Sequence, residues 1–404
     1  MSTVNPGQQS PEIQFSLRAG HPEFRDLPWN LPLTQWAGVS PRLEEAPRGV
    51  TRHVIVFVNY DGTLYTLKEM PAGLAEKEYD LLTQVEAIRI PAVTPIGHVS
   101  VRSAQDHTSV LVTRYLEHSI PYRSLFMTSS LVGYRNHLLD AMAGLLVQLH
   151  LTGIYWGDCS LSNTLFRRDA GALQAYLVDA ETAAIYPERT PASLRHQDLD
   201  IMEETVDGEL AELAAAHMLS EGFPTHDTGA YIRLRYQSLW DEITHEEVIG
   251  PGESYRIQER IRALNALGFS VEGVEFSKVK LGDQIRLRVL VADRNFHRDQ
   301  LFDLTGLEAE ERQARLMMNE IQELRGTLSR TNNRSTPLGV AAYHWSVNVY
   351  QPTISRLQPL IKKDMNLAEL YCQVLEHKWY LSEKARHDVG HTAAVEDYVQ
   401  RFAE

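Results

Sequence analysis

The residues best placed to do chemistry lie between His150 and Glu181. The stretch contains G-D-C-S-L-S-N over Gly157–Asn163, then T-L-F, then L-V-D-A-E over Leu177–Glu181. Asp158 and Asn163 stand five positions apart, and Asp179 follows Asp158 by twenty-one, behind an apolar run. Phosphoryl transfer from ATP needs a carboxylate that accepts or orients the acceptor hydroxyl. It also needs an amide oxygen from the same loop and a second carboxylate at a strand end, both facing Mg2+. Asp158, Asn163 and Asp179 fit those roles in that order. An Asp-Asn pair at this spacing also arises as a simple loop cap, so the weight rests on the order and setting of the elements around it.

In that setting the segment resembles the catalytic and metal-binding loops of the protein kinase superfamily. The nearest style is its compact bacterial branch: lipopolysaccharide-kinase-like, RIO-like and aminoglycoside-phosphotransferase-like proteins. There a helix ending in Leu-His leads into a Gly-Asp loop, as Leu149-His150 and Gly157-Asp158 do here. The resemblance implies a strand lysine on the ATP phosphates, paired with a glutamate on the next helix. Lys68 in T-L-K-E-M supplies the first, and Glu78 in E-K-E-Y-D-L-L the second, with Glu76 as the alternative. It further implies an adenine hinge formed by backbone groups of Arg114, Tyr115 and Leu116, and a brace under the catalytic loop from Asp198 or Asp200. The whole chain also resembles a bacterial family in which a kinase-like half precedes a distinctive C-terminal half. That likeness rests on E-H-K-W-Y-L-S-E at 376–383 and L-T-G-L at 304–307, and it implies no activity.

The pattern departs from the superfamily in three places. No G-x-G-x-x-G precedes Lys68; the nearby candidate for a phosphate loop is Gly49, with Arg48, Arg52 and His53 around it. Trp156 replaces the usual histidine two before the catalytic aspartate, and is expected to fill its packing slot. Asp179 is followed by Ala180-Glu181 rather than Phe-Gly, and Ser160 stands where many kinases carry a basic residue.

Around these residues the periodicity predicts a strand hairpin, His53–Asn59 and Thr63–Glu69, turning on Tyr60-Asp61-Gly62. A helix over 74–89 follows, with Leu74, Leu81, Leu82, Val85 and Ile88 near one face, and then a strand over Ser109–Leu116. A helix at 131–151, short strands at Thr164–Arg167 and Ala175–Val178, and a helix at 197–219 complete this half. Breaks at Gly222-Phe223-Pro224 and Ile249-Gly250-Pro251-Gly252 follow, the second read as the domain boundary. Beyond it, 255–268 reads as a helix, 283–292 as a strand, and 307–329, 340–363 and 366–384 as helices.

Composition narrows the class. With 404 residues, 43% hydrophobic and 23% charged, the chain is that of a globular protein of two or more domains. A formal net charge of −14 argues against a nucleic-acid partner. Two cysteines, Cys159 and Cys372, build neither a disulfide framework nor a four-cysteine zinc site. The histidines show no H-E-x-x-H spacing. The polar, Pro-rich first thirty residues lack a signal-peptide core, and no apolar run is long enough to span a membrane; these features favour the cytoplasm.

The reading is therefore an α+β chain: an N-terminal arm over 1–34, a bilobal kinase-like domain over 35–248, and a mainly helical domain over 249–404. Its expected cofactors are ATP and Mg2+. Lys68, Glu78 and Asp158 are the catalytic set, Asn163 and Asp179 the metal ligands, and Lys68, Arg114, Tyr115 and Leu116 the nucleotide contacts. The expected activity is phosphotransfer to a protein hydroxyl, a sugar or a small metabolite. The rival is a pseudokinase that binds nucleotide or scaffolds a partner. The C-terminal half would present a substrate or partner, or mediate a homodimer.

Overall fold

The computed structural model describes residues 11–402 apart from 47–51, 103–106, 128–133, 220–226, 250–252, 254, 270, 279–284, 292–293 and 363–364. The proposed phosphate-loop glycine Gly49 and the break at 222–224 lie outside the described residues, as does most of the break at 249–252. The chain divides into two compact units: Met1–Phe166 with Ala175–Gln237, and Arg167–Gln174 with Ser238–Glu404.

The first unit opens with β1 (Glu12–Leu17), β2 (Leu43–Glu44), β3 (Val54–Tyr60), β4 (Thr63–Pro71), helix α1 (Leu74–Ala87), β5 (Pro95–Arg102) and β6 (His107–Arg114). These strands form one six-stranded sheet in the order β1-β5-β6-β4-β3-β2. The β3–β4 turn works because Asp61 and Gly62 both take positive φ, 53° and 87°, the pairing a two-residue type I′ turn demands. Asn59 Oδ1 also accepts from the Gly62 amide at 2.9 Å. Strand parity then sorts the faces. Tyr65 and Leu67 enter an apolar layer with Val58, Ile96, Val99, Val110 and Val112. Lys68, one residue on, points to the opposite face, where α1 buries Ala75, Glu78, Leu81, Leu82 and Val85.

The expected arm over 1–34 is instead part of this lobe from Glu12 onward. β1 pairs antiparallel with β5 from Glu12↔Arg102 to Leu17↔Gly97. Phe24, Leu27, Trp29, Leu33 and Trp36 join the buried layer on the sheet. The apolar positions of E-I-Q-F-S-L alternate as an edge strand does. Averaging them with the surrounding polar and Pro residues hides that signal.

The unit continues with β7 (Ile120–Pro121), α2 (Tyr122–Met127), α3 (Arg135–Leu151), β8 (Ile154–Tyr155), β9 (Thr164–Asp169), β10 (Ala172–Leu177), β11 (Ala184–Ile185), α4 (Ala192–Ala215) and α5 (Thr228–Thr244). β10-β9-β7 form a small sheet, and β8 pairs with β11. The tip of the β9–β10 hairpin turns on Ala170 and Gly171, with φ of 49° and 76°.

The second unit takes that hairpin tip and adds β12 (Glu247–Ile249), α6 (Tyr255–Ala266), β13 (Val271–Lys278), β14 (Ile285–Val291), α7 (Phe296–Thr305), α8 (Glu311–Thr331), α9 (Leu338–Trp345), α10 (Gln351–Arg356), α11 (Leu367–Ala385) and α12 (Gly390–Phe402). It is mostly helical, with one three-stranded sheet, β12-β14-β13. Asp169, at the hairpin tip, accepts from the amides of Gln313 at 2.8 Å and Arg312 at 3.2 Å, and so caps the α8 N-terminus. Glu369 accepts from the Ala170 amide at 2.9 Å and from Gln313 Nε2 at 2.8 Å.

Two expectations change here. The boundary falls at Gln237/Ser238, inside the continuous helix α5, not near 249; Gly-Pro signals mark breaks in backbone regularity, and a helix that runs between units carries none. The helix expected over 340–363 is interrupted by a π segment, Ser346–Tyr350, and a 3-10 turn, Gln358–Leu360. Pro352 and Pro359 lack the amides a continuous helix would need. Among the described residues no helix is long and apolar enough to cross a membrane.

Candidate active site

The site is built from three supports in the first unit: the β4–α1 face, the loop Gly157–Asn163, and the turn after β10. Lys68 is the joint between the first and the last. Its Nζ lies 2.8 Å from Glu78 Oε2 and 3.0 Å from Asp179 Oδ2. Lys68 is only 7% exposed and Glu78 only 1%. Burial opposes the charge on Lys68, but the two carboxylates outweigh it and hold the ammonium above its ordinary value. Burial likewise lifts the Glu78 carboxyl, to about 7, against the pull of Lys68. With two carboxylates on one ammonium, the charged lysine is the side of this balance that the geometry favours. Glu78, not Glu76, is therefore the residue paired with Lys68; it also accepts from the Ala180 amide at 3.1 Å.

The loop Gly157–Asn163 is held from beneath by α4. Asp198, fully buried, accepts from the amides of Trp156 and Gly157, both at 2.8 Å. It also lies 3.0 Å from His150 Nε2. Asp200 does not share this role; it pairs with Arg233. Tyr236 OH stands 2.9 Å from His150 Nδ1 and accepts from Arg195 at 3.3 Å. With the imidazole proton on Nε2 facing Asp198, Nδ1 accepts from the Tyr236 hydroxyl. Burial is the main reason His150 is held below its ordinary value, which keeps the ring neutral. Three turns further along α4, Glu209 accepts from the amides of Leu161 at 2.8 Å and Ser162 at 2.9 Å. Sequence reading missed Glu209, although it stands eleven positions after Asp198, three helical turns on the same face.

These braces position the loop's functional groups. Asn163 Nδ2 donates to the Asp158 main-chain oxygen at 3.1 Å, so its amide oxygen is the group left to face a cation. The Val178 amide donates to the Asn163 main-chain oxygen at 3.2 Å, which ties the loop to the residue before Asp179. Asp179 Oδ1 accepts from the Glu181 amide at 3.1 Å. Carboxylate and amide oxygens together form a hard donor set that suits Mg2+. Asp158 is half-buried. Trp156 is fully buried, and its Nε1–H donates to the Asp179 main-chain oxygen at 2.9 Å.

At the expected hinge, the Arg114 amide donates to Thr94 O and the Tyr115 amide to Leu64 O, each at 2.9 Å. Those two donors are spent inside the protein, so a nucleotide would meet other backbone groups of this segment.

Comparison with known proteins gives these findings. Residues 61–234 match the lipopolysaccharide kinase (Kdo/WaaP) family. Residues 238–403 match a domain of unknown function, DUF4032. Curated proteins give no match. Among solved structures, one titled "WaaP in complex with acyl carrier protein" is 16% identical, with a TM-score of 0.34, over 56% of this chain and 99% of that one. An aminoglycoside-3'-phosphotransferase of type VIII is 14% identical, with a TM-score of 0.33, over 50% of this chain and 89% of that one. The chain thus carries a match to the lipopolysaccharide kinase (Kdo/WaaP) family over residues 61–234, followed by a match to DUF4032 over residues 238–403.

Proposed function

We propose that the first unit is an ATP- and Mg2+-dependent phosphotransferase acting on a hydroxyl acceptor. The observation that carries this reading is Lys68, held between Glu78 of α1 and Asp179 of the turn after β10. A buried ammonium fixed by two carboxylates on the face of a sheet is a device for placing phosphate oxygens. In this reading Lys68 positions the phosphates and Glu78 orients Lys68. Asp158 takes or orients the acceptor proton. Asn163 and Asp179 hold Mg2+, which supplies charge neutralisation on the phosphates. The segment Arg114–Leu116 lies at the adenine end.

The acceptor class follows from the family name only as far as a sugar hydroxyl; a protein hydroxyl or a small metabolite belongs in the same assay. The second unit presents the acceptor or a protein partner. The test is ADP release from ATP and Mg2+, with each acceptor class and with the protein itself as acceptor. Wild type should exceed Asp158→Asn by about 100-fold or more. Equal rates with every acceptor would sink the catalytic role of Asp158.

A pseudokinase is the second reading. Ala180-Glu181 in place of a flexible glycine turn and the internal use of the Arg114 and Tyr115 amides favour it. Nucleotide binding without turnover in the same assay would select it.

A further inference from the structure

Beside Lys68 is a second group of potential ligands, of which the phosphotransfer reading uses only Asp179. His53, just before β3, and Asp179 and Glu181, on the turn after β10, each offer one donor atom, and the three atoms lie within 4.8 Å of one another. His53 Nε2 is 3.0 Å from Glu181 Oε2. The His53, Asp179 and Glu181 side chains are 12%, 14% and 18% exposed, so each is largely withdrawn from water yet still reachable.

The turn forces the two carboxylates together. The Glu181 amide donates back to Asp179 Oδ1, and Lys77 Nζ donates to the Glu181 main-chain oxygen at 3.2 Å. Two carboxylates this close repel unless a cation sits on them. Lys68 now serves Asp179, and Arg52 serves Glu181 at 3.3 Å. The Arg52 side chain is 62% exposed, so it gives way at small cost. An imidazole beside two carboxylates is a mixed nitrogen–oxygen donor set. Mg2+ and Ca2+ favour oxygen ligands, imidazole suits Zn2+, Cu2+, Fe2+ and Ni2+, and Mn2+ is a first-row ion at home on carboxylates, so a site of one imidazole and two carboxylates suits the first-row series.

We propose that His53, Asp179 and Glu181 bind a divalent first-row transition metal ion, for which Mn2+ is the probe, with water completing its coordination. The site shares Asp179 with the Mg2+ reading above, but it requires neither nucleotide nor turnover. It places a fixed cation beside Lys68 in a chain that lacks a glycine-rich phosphate loop.

The experiment is a titration of the full-length protein with Mn2+, without nucleotide. Electron paramagnetic resonance counts free Mn2+, and its pulsed form detects nitrogen-14 on the bound ion. The expected result is one Mn2+ per chain with nitrogen coupling, displaced by Mg2+ only at much higher concentration. His53→Gln should abolish the coupling. It should also weaken binding by at least the roughly 10–100-fold that loss of an outer-shell partner alone costs. Glu181→Gln should weaken binding while leaving the coupling at saturating metal. Circular dichroism melts of both variants check that they fold. Absence of Mn2+ binding, Mn2+ bound without nitrogen coupling, or binding unchanged in folded His53→Gln would each overturn the site. Mg2+-dependent ADP release alongside any of these would leave the phosphotransferase reading standing. Nitrogen-coupled Mn2+ in a protein without turnover would uphold the site and count against that reading.

Discussion

The Trp156 indole Nε1–H donates to the main-chain oxygen of Asp179 at 2.9 Å. The same residue's amide is held by Asp198, and its carbonyl accepts from Thr182 Oγ1 at 2.9 Å. Trp156 thus links the loop bearing Asp158 to the turn bearing Asp179. Trp156→Phe keeps most of the packing and deletes the donor to a part-buried carbonyl, at a cost of about 1 kcal/mol. Urea unfolding should show that loss, and ADP release should fall with it. Trp156→His can restore a donor and should recover activity relative to Trp156→Phe; equal activity in the two variants would remove the link from the mechanism.

Lys68→Met is expected to act on both stability and binding. It strips the ammonium from two carboxylates and leaves Glu78 buried without its cation, a change that costs about 3–5 kcal/mol when the charge stays. Protonation of Glu78, already lifted by burial, softens that cost. Nucleotide binding, followed by calorimetry, should weaken strongly. The double variant Lys68→Met, Glu78→Gln should regain stability without regaining nucleotide affinity. Loss of affinity that returns with stability would show the lysine to be structural.

His150 gives a pH dependence with a definite sign. Its folded value lies below the ordinary 6.5, mainly through burial. In the unfolded chain the ring protonates near 6.5; in the fold it resists. The unfolded state therefore binds more protons in the window just below 6.5, and stability falls as pH drops through it. The His150 contribution is fully present above 6.5. Urea midpoints at pH 7.5 and 5.5 should differ more for wild type than for His150→Asn. Identical pH slopes would mean that the ring is protonated in the native state.

Much of the lobe that bears Lys68 can be read from residue order. Asp61-Gly62 between two apolar runs specifies the β3–β4 turn, and the spacing of Leu81, Leu82 and Val85 specifies α1. The lysine–glutamate pair follows once both elements are placed. The braces are harder to read. Asp198 and Glu209 act through backbone amides of the loop, and an amide has no residue type to signal it. β1 escaped because six alternating residues sit among Pro and Gly, and the aromatics at 24–36 are buried by a sheet that lies later in the chain. The pairing of His53 with Glu181 is likewise tertiary: more than a hundred residues separate them, and nothing local to either one announces the other.

The hairpin tip at Arg167–Gln174 has a consequence for how the protein can be made. The chain enters the second unit midway through the first, and leaves it again before Asp179. The ribosome therefore releases Asp169 long before the amides of Arg312 and Gln313, and before Glu369, its later neighbours in that unit. The first unit is synthesised with a hairpin tip whose partners do not yet exist. A fragment ending at Gln237 never meets them. The DUF4032 segment alone, from Ser238 onward, begins without the aspartate that caps α8. The two units are nested rather than strung in tandem, and neither half of the gene encodes a complete one.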